Sequence, residues 1–290
     1  MAIWNLGSIN ADIVYSVPHI LAPGETLSST GRAIYLGGKG ANMSVAAARA
    51  GAQVHHIGAV GADGIWARDR LLEYGVDTRY IETIGDLTSQ AIIAVADDGE
   101  NTIIIQPGAS TLIRLESVQA ALSEAHTGDR VVFQNETNLQ VETAALAKQM
   151  GLKVAYAAAP FSSKAVSDVI EFIDFLILNE VEARQLTEAL GKTPQELGVR
   201  DVIITLGSRG AEWFETERGI HKTFDAYKVE PVDTTGAGDT FTGYVLAGLD
   251  RGQPMEQALR TANRAGAIMV TRKGSADSIP DLHEVQTIRL

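Results

Sequence analysis

The amino-acid sequence predicts an α/β protein with a mostly parallel central sheet that helices cover on both faces. Short apolar runs alternate with amphipathic helical segments along most of the chain, and this alternation is typical of parallel sheets. The composition is that of a globular protein, because 45% of the 290 residues are hydrophobic and 21% are charged. Functional residues are expected at the carboxyl ends of the strands, where ligands bind in such sheets.

Each predicted strand or helix rests on a local pattern. The apolar runs predict strands at 3–6, 54–58, 131–134, 153–156, 175–178 and 202–206. The amphipathic segments predict helices at 41–50, 65–74, 139–150, 165–172, 181–190, 241–249 and 258–271. Gly51 and Gly75 end two of these helices, because glycine readily adopts the left-handed conformation that closes a helix.

Two stretches, 12–36 and 91–106, depart from the alternation. The first contains two prolines and has little helical periodicity. The second indicates a hairpin with its turn at 97–99. Together they predict a small antiparallel sheet beside the main one. Because the sequence shows no repeat or interdomain linker, residues 1–290 are expected to form a single domain with this β-rich outgrowth.

Composition and charge argue against several classes of function. The formal net charge is −12 and no long basic run is present, so a generic nucleic-acid surface is not expected. The absence of cysteine excludes disulfides and thiolate metal sites. The first residues lack the features of a signal peptide, and no apolar run could span a bilayer. We therefore expect a cytoplasmic protein with no nucleic-acid or membrane partner.

The most informative stretch is a glycine-rich turn at 233–240, Asp-Thr-Thr-Gly-Ala-Gly-Asp-Thr, which runs into the predicted helix at 241–249. Glycine permits tight turns and a close approach of the backbone to a ligand. The free N–H groups of a helix N-terminus suit an anion. Asp239 stands where its carboxylate could face the same substrate. A base beside an anion-binding turn is what phosphoryl transfer to an alcohol requires.

A second glycine-rich stretch, 37–42, precedes the first predicted helix. Lys39 and Asn42 could hydrogen-bond a small polar ligand there, or the stretch is only a flexible loop and helix cap. It is not a P-loop, because neither Ser nor Thr follows the lysine. Asn10 and Asp12 share one face of an extended segment. They could bind vicinal hydroxyls, or they form an Asx turn after a strand.

Polar residues also follow three of the later predicted strands. Glu136 could bind a ligand hydroxyl or lie in a solvated loop. Asn179 and Glu182 have the spacing of a helix-capping box, which is compatible with phosphate contact and with ordering of Mg²⁺-bound water. The stretch 205–210 could lie against a nucleotide or simply join two strands. Asn263 is unusual inside an alanine-rich helix, although a solvated side chain is the simpler explanation.

These motifs occur in an order that resembles the PfkB carbohydrate-kinase family over essentially the whole chain. Five stretches match in order: 7–12, 37–42, 205–210, 233–240 and 271–274. Within the family, the chain looks most like the ribokinases. The resemblance implies a ribokinase-like α/β/α sandwich in which the two irregular stretches form a β-sheet lid. It also implies ATP-dependent phosphorylation of a sugar hydroxymethyl group, with Mg²⁺ and a monovalent cation, K⁺, as cofactors.

The resemblance assigns roles to individual residues. The base would be Asp239, and the anion hole would consist of the backbone N–H groups of Gly236, Ala237 and Gly238. The sugar would be held by Asn10, Asp12, Gly38, Lys39, Asn42 and Glu136. The nucleotide would contact Asn179, Thr205, Gly207, Ser208, Gly210 and Asn263. Mg²⁺ would bridge ATP phosphates through waters near Glu182. The monovalent cation would lie near Asp233, Thr235, Met269, Arg272, Gly274 and Ser278, several of them contributing backbone carbonyls.

Departures from the family bear mainly on the substrate. Ribokinases often carry histidine where Asn263 stands, and Gln90 and Ala91 in the lid could differ from ribose-specific enzymes. A sugar phosphate would need cations for its phosphate, and only Lys39 is a clear basic group at the lid positions. A free sugar is therefore favoured, with D-ribose giving ribose 5-phosphate as the preferred reaction. Another sugar or a nucleoside stays open as the acceptor, because the apolar lid residues would tolerate a base.

Two other classes of function agree less well with the sequence. A noncatalytic sugar- or nucleotide-binding protein would not need Asp239 beside an anion hole. A dinucleotide-dependent oxidoreductase is disfavoured, because no G-x-G-x-x-G follows the first strand.

Exposed strand edges need covering and ribokinase-like proteins often pair through the lid, so we expect a homodimer there. The six histidines lack metal-ligand spacing and are expected to be structural, with His55 and His56 on opposite faces of a strand.

Overall fold

The computed structural model describes residues 1–290. The strands are β1 (Ala2–Leu6), β2 (Asn10–Val17), β3 (Gly31–Gly37), β4 (Gln53–Gly61), β5 (Asp77–Ile84), β6 (Ser89–Ala96), β7 (Asn101–Gln106), β8 (Arg130–Phe133), β9 (Lys153–Ala157), β10 (Phe175–Asn179), β11 (Asp201–Thr205), β12 (Ala211–Glu215) and β13 (Ile220–Phe224). The helices are α1 (Lys39–Arg49), α2 (Ile65–Glu73), α3 (Leu115–Leu122), α4 (Gln140–Gln149), α5 (Ser163–Val169), α6 (Glu180–Leu190), α7 (Ala237–Asp250), α8 (Met255–Met269) and α9 (Leu282–Thr287). None of the helices combines the length and the apolar character that a membrane span needs.

A nine-stranded sheet forms the centre of the molecule, in the order β13-β12-β11-β10-β9-β8-β1-β4-β5. All pairings from β11 to β5 are parallel, and β12 and β13 are antiparallel additions at one edge. Helices cover both faces, with α1, α2, α7 and α8 on one side and α3 to α6 on the other. This confirms the predicted α/β fold.

The central strands are apolar throughout because both of their faces are buried. On β8, Val132 joins the core beneath α7 and α8, whereas Val131 and Phe133 join the core on the opposite face. On β1, Ile3 faces the first core, and Trp4 lies in the second. Continuous apolar runs in the sequence therefore correspond to strands that lie between two helix layers.

A second, four-stranded sheet has the order β3-β2-β6-β7 and forms the predicted lid. The β2–β3 and β6–β7 pairings are antiparallel, as expected, whereas the central β2–β6 pairing is parallel. The parallel pairing has a simple cause. Strands β1 and β5 are parallel within the main sheet, so the segments that follow them leave from the same edge and run outward side by side.

Several elements lack a clear pattern in the sequence. The strand β5 lies at an edge and is only partly buried, so charged residues such as Arg79 and Glu82 interrupt its apolar positions. The antiparallel strands β12 and β13 and the short helices α3 and α9 also lay outside the predicted elements. Helix α7 begins at Ala237, earlier than the predicted start at 241. The sequence did not indicate this first turn because it contains glycine, which normally disfavours a helix.

Candidate active site

The predicted site residues converge at the carboxyl edge of the main sheet. The turn after β1, the segment after β8 and the ends of β10 and β11 all reach this edge, since these strands are parallel. Two helices, α1 and α7, begin at the same place, and they pack directly against each other. This position is where open α/β sheets bind ligands.

Asp239 lies in the first turn of α7, as the glycine-rich turn predicts. Gly236 caps this helix with φ of 77°, in the left-handed region that favours glycine. The N–H of Ala237 is donated to the carbonyl oxygen of Thr234 at 3.2 Å, whereas those of Gly236 and Gly238 have no backbone acceptor. The helix therefore presents unpaired donors and its positive end beside a carboxylate.

The carboxylate of Asp239 is buried, and burial disfavours its charged form. Desolvation raises its pKa to about 6, although the charge of Lys39 and a hydrogen bond from Asn42 oppose the shift. The Nδ2 atom of Asn42 donates to Oδ2 of Asp239 at 3.0 Å. The negative charge of Asp239 in turn raises the pKa of Lys39 above its usual value. A carboxylate with a pKa close to neutrality is suited to general-base catalysis.

Asp12 projects from the lid strand β2 towards the same carboxylates. Burial raises its pKa to about 7, and the charges of Glu136 and Asp239 act in the same direction. A Cβ atom at Gly37 would lie only 2.0 Å from an oxygen of Asp12. The absence of a side chain at Gly37 therefore leaves room for the Asp12 carboxylate. Asn10 lies on the same strand as Asp12 and is the β-ladder partner of Gly37.

Glu136 ties the turn after β1 to the glycine-rich stretch at 37–42. Its Oε2 atom accepts hydrogen bonds from the hydroxyl of Ser8 at 2.5 Å and from the backbone N–H of Lys39 at 3.0 Å. Gly38, with φ of 92°, begins α1 at this contact. Ser8 belongs to the first matched stretch but was not among the predicted site residues, because nothing in its local sequence distinguishes it from a turn serine.

A buried chain of hydrogen bonds supports the turn after β1 and the glycine-rich stretch at 37–42. The imidazole of His56 donates from Nε2 to the carbonyl oxygen of Gly7 at 3.0 Å and accepts at Nδ1 from the hydroxyl of Ser44 at 2.8 Å. Asn5 donates from Nδ2 to Ser44 and to the carbonyl oxygen of Gly40, each at 2.8 Å. His55 points to the other face, where it stacks on a tryptophan, so the predicted structural roles agree with the geometry.

We predict that His56 makes stability depend on pH. Desolvation lowers its pKa from 6.5 to about 4 in the folded protein. Between pH 6.5 and 4 the unfolded chain therefore binds a proton that the folded protein does not bind. The contribution to the free energy of unfolding should fall by about 3 kcal/mol between pH 6.5 and 4. Urea titrations of wild type and His56→Gln at several pH values measure this difference. Parallel pH dependences of the two proteins would contradict it.

A cavity of about 420 Å³ adjoins the start of α7 and collects most of the predicted nucleotide residues. Its lining includes the predicted Thr205, Gly207, Ser208, Gly210 and Asn263, together with Ala237 and Gly238 of the anion turn. Asn263 is buried rather than solvated, and its Nδ2 atom donates to the backbone carbonyl oxygens of Phe224 and Asp225 at the end of β13, at 3.2 Å each. Residues 226–229, Pro231 and Phe241 also line the cavity, and no local sequence pattern indicated that they contact a ligand.

Asn179 and Glu182 form the capping box at the start of α6. The backbone N–H of Glu182 donates to Oδ1 of Asn179, and the N–H of Asn179 donates to Oε2 of Glu182, both at 2.8 Å. Neither residue lines the 420 Å³ cavity. Desolvation raises the pKa of Glu182 and the charge of Lys39 lowers it, which places this carboxylate within electrostatic reach of the site. No group of three or more acidic or histidine side chains is arranged to hold a metal ion.

Most of the residues predicted to surround a monovalent cation lie together beside the anion turn. The carboxylate of Asp233 accepts hydrogen bonds from the N–H groups of Thr235 at 2.9 Å and Gly274 at 3.1 Å. The hydroxyl of Ser278 donates to the carbonyl oxygen of Gly274 at 2.6 Å. The sulfur of Met269 accepts from Thr240 at 2.7 Å. The side chain of Arg272 turns away to Glu284 at 2.6 Å, so only its backbone could face a cation.

The geometry as a whole suits one type of chemistry. A buried carboxylate at a helix N-terminus can take a proton from an alcohol, while the free N–H groups beside it can stabilise negative charge on a phosphoryl group. The adjoining cavity has the size of a small-ligand site. Fold and site together define a phosphotransferase with an alcohol acceptor.

The chain belongs to the pfkB family of carbohydrate kinases, whose family model matches residues 3–282. It is 38% identical to a ribokinase of Haemophilus influenzae, with 96% of this chain and 95% of that protein covered. It is 30% identical to a deoxyribokinase of Salmonella typhi, with 96% and 95% covered.

Solved structures give the same result. A ribokinase from Cryptococcus neoformans in complex with ADP is 33% identical, with a TM-score of 0.85 and 98% of both chains covered. A ribokinase from Arabidopsis thaliana complexed with ribose and ATP is 27% identical, with a TM-score of 0.86 and 98% and 97% covered. Family membership confirms the resemblance inferred from the motifs.

Proposed function

We propose that this protein transfers the γ-phosphoryl group of ATP to the hydroxymethyl group of a free sugar, with D-ribose as the acceptor and ribose 5-phosphate as the product. The observation that carries the proposal is the position of Asp239. Its buried carboxylate lies at the N-terminus of α7, beside the 420 Å³ cavity and within reach of Asn42. Relatives of about one third identity named ribokinases support ribose as the acceptor.

In the proposed reaction, Asp239 accepts the proton of the attacking hydroxyl as that oxygen bonds to the γ-phosphorus. The bond from the γ-phosphorus to the β,γ-bridging oxygen breaks, and ADP leaves with that oxygen. The N–H groups at Gly236 to Gly238 stabilise the charge on the transferred phosphoryl group, with Ala237 giving up its weak contact to Thr234. Lys39 offsets the negative charge that accumulates between donor and acceptor. Asp12, Asn10, Asn42 and Glu136 hold the remaining hydroxyls in place.

The nucleotide would occupy the 420 Å³ cavity, with its phosphates towards the start of α7. Gly207 and Gly210 have positive φ and carry no side chain, so the backbone at these two positions can approach a flat base. Mg²⁺ fits the site only as a partner of the ATP phosphates, because no three-residue ligand set is present. The side chain of Glu182 is held in place by the capping box and would order water on the Mg²⁺ ion. When bound, this ion would offset the negative charge of the ATP phosphates.

A monovalent cation fits the oxygen-rich cluster at Asp233, Gly274 and Ser278. Carboxylate, hydroxyl and backbone carbonyl oxygens converge there, and such oxygens are the ligands that K⁺ accepts. The cluster adjoins the anion turn, so a bound cation would help to fix the turn's N–H groups. We expect K⁺ to stimulate turnover relative to tetramethylammonium. Equal rates in the two salts would contradict this assignment.

Purified protein with ATP and Mg²⁺ tests the proposed function directly. ATP consumption is measured with D-ribose, 2-deoxy-D-ribose, other free sugars and nucleosides, and the product is identified by mass spectrometry. Ribose-dependent turnover supports the proposal. Turnover only with 2-deoxyribose or a nucleoside would keep the mechanism and change the acceptor. Binding of ribose and ATP without turnover would favour a noncatalytic sugar-binding protein.

We further propose that two copies associate through their lids. Four isoleucines form one cross-strand row on the lid, because Ile34 pairs with Ile13, Ile13 with Ile92, and Ile92 with Ile104. By strand alternation this row lies on the face opposite Asp12. The exposed fractions of Ile34 and Ile104 are 43% and 62%. A second copy presenting the same row would cover this apolar face.

We predict that Ile104→Glu converts the dimer into a monomer, because the two-fold contact would bury a carboxylate against isoleucine. Ile103→Glu is the matched control. It introduces the same charge on the same strand at a similarly exposed position, but on the opposite face. Sedimentation velocity measures both. A monomeric wild type, or a dimer that survives Ile104→Glu, would contradict the proposed interface.

Residues 1–290 would act in this reaction as one kinase domain with its lid. Because the proposed reaction consumes ATP and the chain carries no cysteine, we also propose that it takes place in the cytoplasm.

A further inference from the structure

A second cavity, of about 410 Å³, lies at the amino edge of the main sheet. The first residues of four parallel strands meet there: Arg130, Lys153, Phe175 and Asp201. The proposed active site is at the carboxyl edge, and strands of four or five residues separate the two edges by about 15 Å. The second cavity is therefore a separate site, and it takes no part in the proposed phosphoryl transfer.

Four cations line this cavity, and only Arg218 has a close partner, since its Nε atom donates to Glu215 at 2.8 Å. Arg130 forms no ion pair, and its Nε atom is buried without any hydrogen-bond partner. Lys153 also forms no ion pair within the protein. Arg200 is only loosely paired, since its nearest carboxylate oxygens lie 3.7 and 3.9 Å away. A desolvated guanidinium with free N–H groups is costly unless an acceptor is supplied.

The carboxylates that line the same cavity are already engaged. Asp174 accepts from Lys148 and from the backbone of β9, both at 2.9 Å. Asp201 accepts from the indole of Trp213 at 2.9 Å, and Glu256 pairs with Lys222 at 2.6 Å. Asp250, Asp201 and Asp174 attract Arg130 electrostatically, but none lies within 4.0 Å of it. These charges stabilise the guanidinium without occupying its donors.

Two more features of this cavity bear on the kind of molecule that it could bind. Phe175, Trp213 and Met255 supply an apolar wall. The 15-residue helix α8 begins at Met255, so its positive end faces the cavity together with the free cations. The volume falls within the range of small-molecule sites.

We propose that this cavity binds a small molecule that carries a phosphate group, held by Arg130, Lys153 and the N-terminus of α8. The apolar wall would contact the rest of the molecule. The proposal does not depend on the kinase reaction, because none of these residues belongs to the proposed catalytic or substrate-binding set.

Inorganic phosphate is the first probe, and Trp213 is a reporter inside the cavity. We expect a saturable change in tryptophan fluorescence that is absent in Trp213→Phe. Arg130→Met should weaken phosphate binding at least about 10-fold, whereas Arg184→Met, at an exposed arginine on α6, should leave it unchanged. Turnover of the Arg130 variant should match that of wild type.

Ribose 5-phosphate, tested in the same way, shows whether a phosphate ester binds more tightly than the free ion; either order supports the site. Lys153→Met, at an exposed strand start, gives a second variant in case Arg130→Met does not fold. The absence of a saturable signal in wild type would overturn the proposal. So would affinities unchanged by both variants, because phosphate would then bind outside this cavity.

Discussion

Replacing Asp239 by Asn should lower kcat about 10³-fold while leaving ATP and sugar binding nearly intact. Asparagine has the same shape and can still accept the hydrogen bond from Asn42, but it cannot take the proton of the hydroxyl. General-base catalysis contributes rate factors of about this size. Initial rates and equilibrium binding of both substrates measure the effect. Turnover equal to that of wild type would remove Asp239 from its assigned role.

The same variant should be more stable than wild type, which a purely structural role for Asp239 would not produce. Burial raises the pKa of Asp239 from 3.8 to about 6. The native state therefore prefers the protonated form, and stability is lost as the pH rises through 6. Above that pH, Asp239→Asn removes this cost and should gain up to about 3 kcal/mol. The gain should vanish as the pH approaches 3.8.

Activity should follow the same titration. Since only the ionised carboxylate can act as a base, kcat/KM should rise with pH and level off above about 6. Asp12 titrates nearby, because its pKa is raised to about 7. The Asp12→Asn variant separates the two groups. A transition near pH 6 that persists in this variant belongs to Asp239, whereas its disappearance would assign the transition to Asp12.

Replacing Gly40 by Ala should destabilise the protein and damage the sugar site together. A Cβ atom at Gly40 would lie 2.3 Å from Cα of Gly7 and 2.5 Å from the backbone N of Ser8. These are backbone atoms, so a side-chain rotation cannot relieve the overlap, and α1 must move away from β1. We expect a loss of about 3 kcal/mol in the free energy of unfolding. A displacement of Lys39 and Asn42 by about 1 Å should lower kcat/KM for the sugar about 100-fold.

Gly85→Ala is the matched control, because nothing lies within 4 Å of a Cβ atom at that position. Its stability should stay within about 0.5 kcal/mol of wild type. Alanine is intrinsically better than glycine in a helix such as α1, so any loss in Gly40→Ala is due to the contact with Gly7. Urea unfolding and steady-state kinetics measure both variants. A Gly40→Ala protein as stable and active as wild type would show that the two loops tolerate separation.

The sequence was sufficient for the fold class and the family, and it predicted the chemistry that we propose for the site. Strands buried on both faces must be apolar throughout, so β1, β8 and β10 were visible as short apolar runs. The anion turn was visible because Gly236 adopts the left-handed backbone that favours glycine, and Asp239 was predicted from its position beside that turn. These features depend on residues that are neighbours along the chain, so they can be recognised from the sequence.

Only the tertiary structure decided what depends on distant parts of the chain. The raised pKa of Asp239 arises from its burial and from the charges of Glu136 and Glu182, while Lys39 opposes the shift, and all three residues are far away in sequence. The support of Gly7 and Gly40 by His56 also joins separate elements, and a lone histidine in a strand carries no sign of it. The parallel pairing of β2 with β6 depends on where two strands leave the main sheet. Burial, electrostatic coupling and strand pairing are set by neighbours in space, so no local pattern in the sequence could specify them.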